Sequence, residues 1–376
     1  MSKVILPNQT IGIIGGNHLA RFMCFSAKKM GCRVIALDPD INSAASSIVD
    51  EQIVGNYNDG FGLLELIQKS DIITYESELA DAQTLDYLKA KTKIPQGVFG
   101  LEVTQDRRLE REFLNHHLIN ISPYTVAYLI SEVREAGRSL GYPLVVKNIH
   151  RDVLIDSHYV ICSEAEVDKA VPFVQQGGCL IEPFLKIQRE LFITIAVNKK
   201  GDYTLFPIVE TKHGKNGELK EVYASYDDLS EDLENQIVLI GKVIASELNT
   251  SGVIGVELFL MENGNLYVNE ISTRPHEAGL FTMDSCNFSV FDTHIKGICN
   301  LPMPEICQFI PSISIMISEE NVSLITSLMT KKRNWHYYFY KPQNLISAHT
   351  QIGHVTILSD NFAETKQELK YLGLIK

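Results

Sequence analysis

At 376 residues the chain is too long for one core and predicts about two to four domains. Its 45% hydrophobic and 21% charged content is that of an ordinary globular protein, and a net charge of −12 argues against a nucleic-acid partner. Seven scattered cysteines with no C-x-x-C pair exclude a regular disulfide framework and a zinc knuckle. The N-terminus turns polar at Pro7-Asn8-Gln9 with no signal peptide, and no apolar run of about 18 residues can span a membrane, so the expected setting is cytoplasmic.

The first predicted elements are a strand at Thr10–Ile14, a helix from Leu19 to Met30 and a strand at Arg33–Leu37 ending on Asp38. This βαβ unit has a Rossmann-like pattern, but Asn17 stands where the second glycine of a dinucleotide fingerprint would be. A further strand, Asp71–Tyr75, ends in Glu76-Ser77-Glu78, polar residues at the carboxyl edge where open α/β sheets bind ligands. Helices are predicted over Thr104–Asn115 and Ser131–Leu140, then a strand Pro143–Lys147 whose terminal lysine could reach a phosphate. Cys179–Leu185 and Gln188–Val197 read as strands, Asn216-Gly217 as a turn, and Glu231–Leu248 as a long helix. Beyond Pro302-Met303-Pro304 the chain is strand-rich at 312–317, 335–340 and 354–358.

The most informative stretch lies near residue 260. Two apolar-alternating runs, Gly255–Leu260 and Leu266–Ile271, flank Asn263-Gly264, a strong hairpin signal. A turn centred on that pair sets Glu257 opposite Glu270, with Cβ atoms about 5 Å apart, where like charges repel. A hard divalent cation removes the penalty, and Mg²⁺ is commonly held by one or two carboxylates plus substrate phosphates. Asn269 adds an oxygen there, and Arg274 just beyond could grip a phosphate or carboxylate. Without the ion, replacing both acids should slightly stabilise the protein.

Over nearly its whole length the chain resembles the ATP-grasp enzymes, and within them the N5-carboxyaminoimidazole ribonucleotide synthase family. The resemblance rests on Gly12–Gly16, Leu37-Asp38-Pro39, Thr74–Glu78, Gln105-Asp106-Arg107, Gly141–Lys147, Val268–Ile271, Arg274-Pro275-His276, Phe291–His294 and Gly353–Thr356. It implies an α/β ATP-grasp fold with a Rossmann-like pre-ATP-grasp domain at 1–100, a lid domain at 101–181, a second grasp domain with the metal hairpin at 182–300, and a small β-rich subdomain at 301–376. It implies that ATP and Mg²⁺ activate bicarbonate as carboxyphosphate, which supplies CO₂ to the amine of 5-aminoimidazole ribonucleotide or a related amine. It also suggests a homodimer.

Carried over by position, Arg107 and Lys147 are the expected phosphate contacts, with Asn269 beside them; Glu182, Pro183, Phe184 and Leu185 form the adenine edge, and Glu190 accepts from the ribose. Glu257 and Glu270 are the metal ligands. Arg274, His276 and Glu76 are the catalytic group, with His18, Tyr75 and His213 at the second substrate.

Four departures qualify these expectations. The family's glycine-rich loop after the strand lysine is here Arg151–Ser157, without glycine and with Asp152 and Asp156. Bulky side chains keep backbone amides from phosphate, and acids repel it. Asn17-His18 replaces Gly-Gln, Thr350-Gln351 replaces an Arg-Lys pair suited to a ribonucleotide phosphate, and Glu277–Leu280 replaces Asn-Ser-Gly-His. Three readings follow: the purine carboxylating ligase, a related ligase with another amine acceptor, or a catalytically weak nucleotide binder. A nicotinamide dehydrogenase has nothing beyond the first βαβ unit in its favour.

Overall fold

The apolar runs at the start of the chain become neighbours in a parallel sheet. Strands Thr10–Ile14, Arg33–Asp38, Glu51–Val54 and Ile72–Tyr75 lie in the order third, second, first, fourth, with Thr10 beside Arg33 and Ile11 beside Ile72. The computed structural model describes residues 7–88, 93–151, 158–214, 217–225, 229–340 and 351–375. Residues 152–157, Asn216 and Thr350 fall outside them. Two units are formed: Met1–Val98 with Phe192–Gly255 and Ser272–Lys376, and Phe99–Leu191 with Val256–Ile271.

In the first unit, Asn17 explains the missing glycine. It caps the helix His18–Lys29, its Oδ1 accepting from Leu19 N at 2.8 Å and Ala20 N at 3.3 Å. Gly15 before it has φ 114°, and a Cβ there would lie 2.7 Å from Glu76 Oε2 and 3.0 Å from Ser77 N. Asp38 points inward, accepting from Tyr57 Oη and from Asp40 N, both at 2.8 Å, so it latches its own loop. Ile11, Ile13, Met23 and Val34 pack with Phe281, Phe291 and Ile295 in one buried cluster.

The C-terminal strands do not form a sheet of their own. Ser312–Ile317 pairs antiparallel with Leu219–Ala224, Glu221 facing Ile315, and on its other side with Gly353–Leu358, which pairs with Trp335–Phe339. The expected subdomain at 301–376 therefore extends the preceding sheet, and pairing on both sides of Ser312–Ile317 satisfies the backbone groups of a strand whose residues are all buried. The helix Glu231–Leu248 is formed, capped by Ser230 and ended by Asn249 in a left-handed conformation with φ 48°.

The second unit carries an antiparallel sheet of Thr125–Ala127, Cys179–Pro183, Leu144–Asn148 and His158–Ile161, in that order. Ala127, Val133, Val146, Ile161 and Phe173 form its core. The helix expected from Thr104 is broken: Phe99–Gln105 ends, and Asp106 caps a new helix, Arg107–His116, by accepting from Arg108 N at 2.8 Å. Among the described residues no helix is long and apolar enough to cross a membrane.

The hairpin forms with a register one residue away from the expectation. Gly264 N donates to Met261 O and Met261 N to Asn265 O, both at 2.9 Å, enclosing three loop residues with Gly264 at φ 83°. That is a turn followed by a left-handed glycine bulge, and it pairs Met261 with Asn265. Counting back along the strands sets Glu257 opposite Asn269, whose Nδ2 donates to Glu257 Oε2 at 3.1 Å. Glu270 is thus not the cross-strand neighbour of Glu257. The expected repulsion between them does not arise.

Candidate functional site

In the second unit the short helix Arg107–His116 buries three of its charged residues, Arg107, Glu110 and Arg111, against the usual rule for such side chains. Glu110 is 0% and Arg111 1% exposed. Arg111 Nη2 lies 3.0 Å from Glu182 Oε1, its Nη1 donates to Asn269 O at 2.8 Å, and Nη1 also reaches Glu110 Oε2 at 3.2 Å. Lys147, at the end of its strand, pairs with Glu182 Oε2 at 2.8 Å and donates to Asn269 Oδ1 at 3.2 Å. Arg107 donates to Asn148 O at 2.9 Å and to Glu270 Oε1 at 3.4 Å.

These contacts set the acids' charge. Burial alone would raise Glu182, but Lys147 and Arg111 hold it below the usual carboxylate range. Burial likewise opposes ionisation of Glu270, yet Arg151, Arg107 and Lys147 keep it far below that range. Glu110 goes the other way, raised by burial despite Arg151 and Arg111. Arg107 Nε is buried with no partner among the described residues, a donor that an anion would satisfy.

The unit brings together Arg107, Lys147, Glu182, Asn269 and Glu270 as the sequence suggested. Glu182 contributes a buried carboxylate, beyond the backbone edge expected of it. Beyond it Pro183 and Leu185 are half-buried and Phe184 is 51% exposed, its N donating to Pro143 O at 2.9 Å. Glu190 and Glu257 are half-buried on their strands. Sequence reading missed Glu110 and Arg111, although the run Arg107-Arg108-Leu109-Glu110-Arg111 carried a signal: a helix this charged has some charge on its buried side.

The first unit holds a second cluster. Glu76 is 2% exposed and accepts from Asn17 Nδ2 at 2.7 Å. Burial raises it from 4.5 to about 7, against the pull of Arg274 and His18. Arg274 Nε donates to Glu78 Oε1 at 3.1 Å. His276 caps the short turn Glu277–Gly279, its Nδ1 accepting from Ala278 N at 3.1 Å, and stacks on Phe192 with centroids 4.7 Å apart. Burial lowers its pKa, with Arg274 and His213 adding to the effect. His213 ends its strand at a register shift. His18 stacks on Tyr340 at 4.2 Å and lies 3.4 Å from Glu277 Oε1.

Tyr75 differs from its expected place at the second substrate. It is 0% exposed and its hydroxyl sits 3.1 Å from Thr273 Oγ1, so it braces the turn that carries Arg274 from beneath. Gln96 ties the same turn down by donating to Thr273 O at 2.8 Å. A strand whose four residues are all buried has no free side to offer a ligand.

The chain is similar to known proteins over nearly its whole length. Residues 8–105 match the ribonucleotide synthetase preATP-grasp domain and residues 112–291 the ATP-grasp domain. The N5-carboxyaminoimidazole ribonucleotide synthase of Bacillus subtilis is 30% identical, over 98% of this chain and 97% of its own. That of Staphylococcus haemolyticus is 32% identical, over 96% and 95%. A crystal structure of the ADP complex of an N5-carboxyaminoimidazole ribonucleotide synthetase superposes with a TM-score of 0.94 at 32% identity, over 100% of this chain and 98% of that one.

Proposed function

The chain belongs to the N5-carboxyaminoimidazole ribonucleotide synthase family of ATP-grasp enzymes, and on that premise we propose that it carboxylates 5-aminoimidazole ribonucleotide with bicarbonate at the expense of ATP. The observation that carries this reading is the cluster of Arg107, Lys147, Asn269 and Glu270, a cationic cradle with a carboxylate at its edge inside one unit.

Arg107 and Lys147 bind the phosphates, the unpartnered Arg107 Nε among the donors. The backbone at Pro183, Phe184 and Leu185 reads the adenine, and Glu190 accepts from the ribose. Of the two acids expected to hold Mg²⁺, Glu257 faces Asn269, and ionised Glu270 is the carboxylate that would hold the ion. One carboxylate with phosphate oxygens is enough for such an ion, which neutralises phosphate charge when bound. A bicarbonate oxygen attacks the terminal phosphorus as the bond to ADP breaks. Carboxyphosphate then releases phosphate and CO₂, the amine nitrogen bonds to the carbon, and its proton passes to the Glu76 carboxylate. With its pKa near 7, Glu76 is suited to accept and release that proton. Arg274 and neutral His276 hold the oxyanion, with His18 and His213 beside the acceptor.

ADP release measured with ATP, Mg²⁺ and bicarbonate, with and without the ribonucleotide, tests this. Stimulation by the ribonucleotide supports it, and none refutes it. A second reading, a ligase for an amine lacking the 5′-phosphate, is favoured by Gln351, whose Nε2 donates to Leu219 O at 3.1 Å instead of facing a ligand. Basal turnover without stimulation would select it. We further place the protein in the cytoplasm as a homodimer. Seven free thiols suit a reducing compartment, and sedimentation tests the dimer.

A further inference from the structure

Arg151 is the first residue of the stretch that replaces the family's glycine-rich loop, and its side chain does not project outward. Its backbone N donates to Gln105 O at 3.1 Å and its side chain is 10% exposed. Nη1 donates to Ile271 O at 3.1 Å and Nη2 to Glu110 Oε1 at 2.7 Å. Both anchors are fixed, since Glu110 is fully buried and the same Oε1 accepts from Ile271 N at 2.7 Å. Held there, Nη2 lies 3.8 Å from Glu270 Oε2, while Arg107 occupies Oε1.

Among the described residues, Arg107, Arg111, Lys147 and Arg151 contact the carboxyl groups of Glu110, Glu182 and Glu270. With Arg151 in place, Glu270 has a cation beside each of its oxygens, Arg107 at Oε1 and Arg151 at Oε2.

We propose that Arg151 does at Glu270 what a divalent cation would do, so that this chain binds adenine nucleotide with little dependence on Mg²⁺. The proposal rests on the nucleotide reading above and concerns binding alone. The guanidinium is planar and doubly anchored, so it cannot be exchanged for lysine without loss.

The test is calorimetric titration of the full chain with ATP carrying a non-hydrolysable β,γ bridge, in saturating Mg²⁺ and in EDTA. The parent should bind within about threefold in the two conditions, because its cation is internal. Arg151→Gly should bind about tenfold or more weakly in EDTA and recover in Mg²⁺, with Arg151→Lys between the two. Thermal unfolding of both variants checks the fold; if the glycine variant does not melt cooperatively, the lysine variant carries the test. Parent binding that EDTA weakens more than about tenfold overturns the proposal while leaving the nucleotide reading intact. So does an Arg151→Gly variant that matches the parent in both conditions. Absence of binding by the parent in either condition overturns both.

Discussion

The two clusters bury charge by opposite means. Around Glu182 and Glu270 each carboxylate meets guanidinium or ammonium groups, and both acids are held ionised. Around Glu76 the same side-chain type sits almost without solvent beside one amide donor, and its proton is held to about pH 7. The first arrangement makes a fixed electrostatic cradle, suited to a ligand whose charge does not change. The second makes a group that exchanges a proton at working pH. Division of labour between binding and chemistry follows from who the neighbours are, not from the residue type.

The sharpest way to break the contrast is to remove a charge from the paired cluster. Glu182→Gln leaves Lys147 and Arg111 facing a neutral group in a buried site, and should cost about 3–5 kcal/mol in urea unfolding. Arg111→Met combined with Glu182→Leu should cost less than the sum of the two single changes, since the Arg111–Glu182 contact is lost only once while Lys147 loses its partner in either case. Equal and additive losses would mean that the pair is not a coupled unit.

Glu270→Gln should lower turnover by roughly a hundredfold or more while leaving the fold intact. Because Arg107 and Arg151 face Glu270, this change should destabilise the unliganded protein slightly. The sequence alone suggested the reverse for replacing both acids, and the register explains the sign: Glu257 has Asn269 across from it, so there is no repulsion to relieve. A double Glu257→Gln, Glu270→Gln protein more stable than its parent would restore the face-to-face arrangement.

The exposed limb of the contrast is pH. If Glu76 takes the amine proton, kcat/KM should fall below about pH 7, and Glu76→Gln should remove that limb with most of the activity. Its folded pKa is raised above the ordinary 4.5, so the folded state binds more protons between the two values. Stability from this group is full below pH 4.5 and is lost as pH rises through about 7. Glu76→Gln should therefore be more stable than the parent at pH 8, read as a higher melting temperature. A pH-independent difference would show that Glu76 does not titrate in this range.

The smallest effect expected is from the loop. Replacing residues 152–157 with the family's glycine-rich sequence while keeping Arg151 should raise ATP affinity and the fraction of ATP use coupled to product. Tight, fully coupled turnover in the natural chain would show instead that these side chains have taken over the work of backbone amides.

Periodicity placed the helix Glu231–Leu248 to the residue, because a helix is defined by contacts within a few positions of itself, and the strand Thr10–Ile14 was bounded by its short apolar run and the glycines that follow it. Residue order likewise gave the βαβ start, the strand lysine and the acidic hairpin. What the sequence could not hold were facts that depend on a partner distant in the chain. Glu110 and Arg111 look like solvated charges on a polar helix until Glu182, Asn269 and Ile271 are set against them. Tyr75 looks like a ligand contact until Thr273 covers its hydroxyl. The hairpin is the narrowest case: Asn263-Gly264 announced the turn, but a two-residue and a three-residue loop fit the same letters. Side chains alternate along a strand, so that single residue decides whether two carboxylates face each other or one faces an amide.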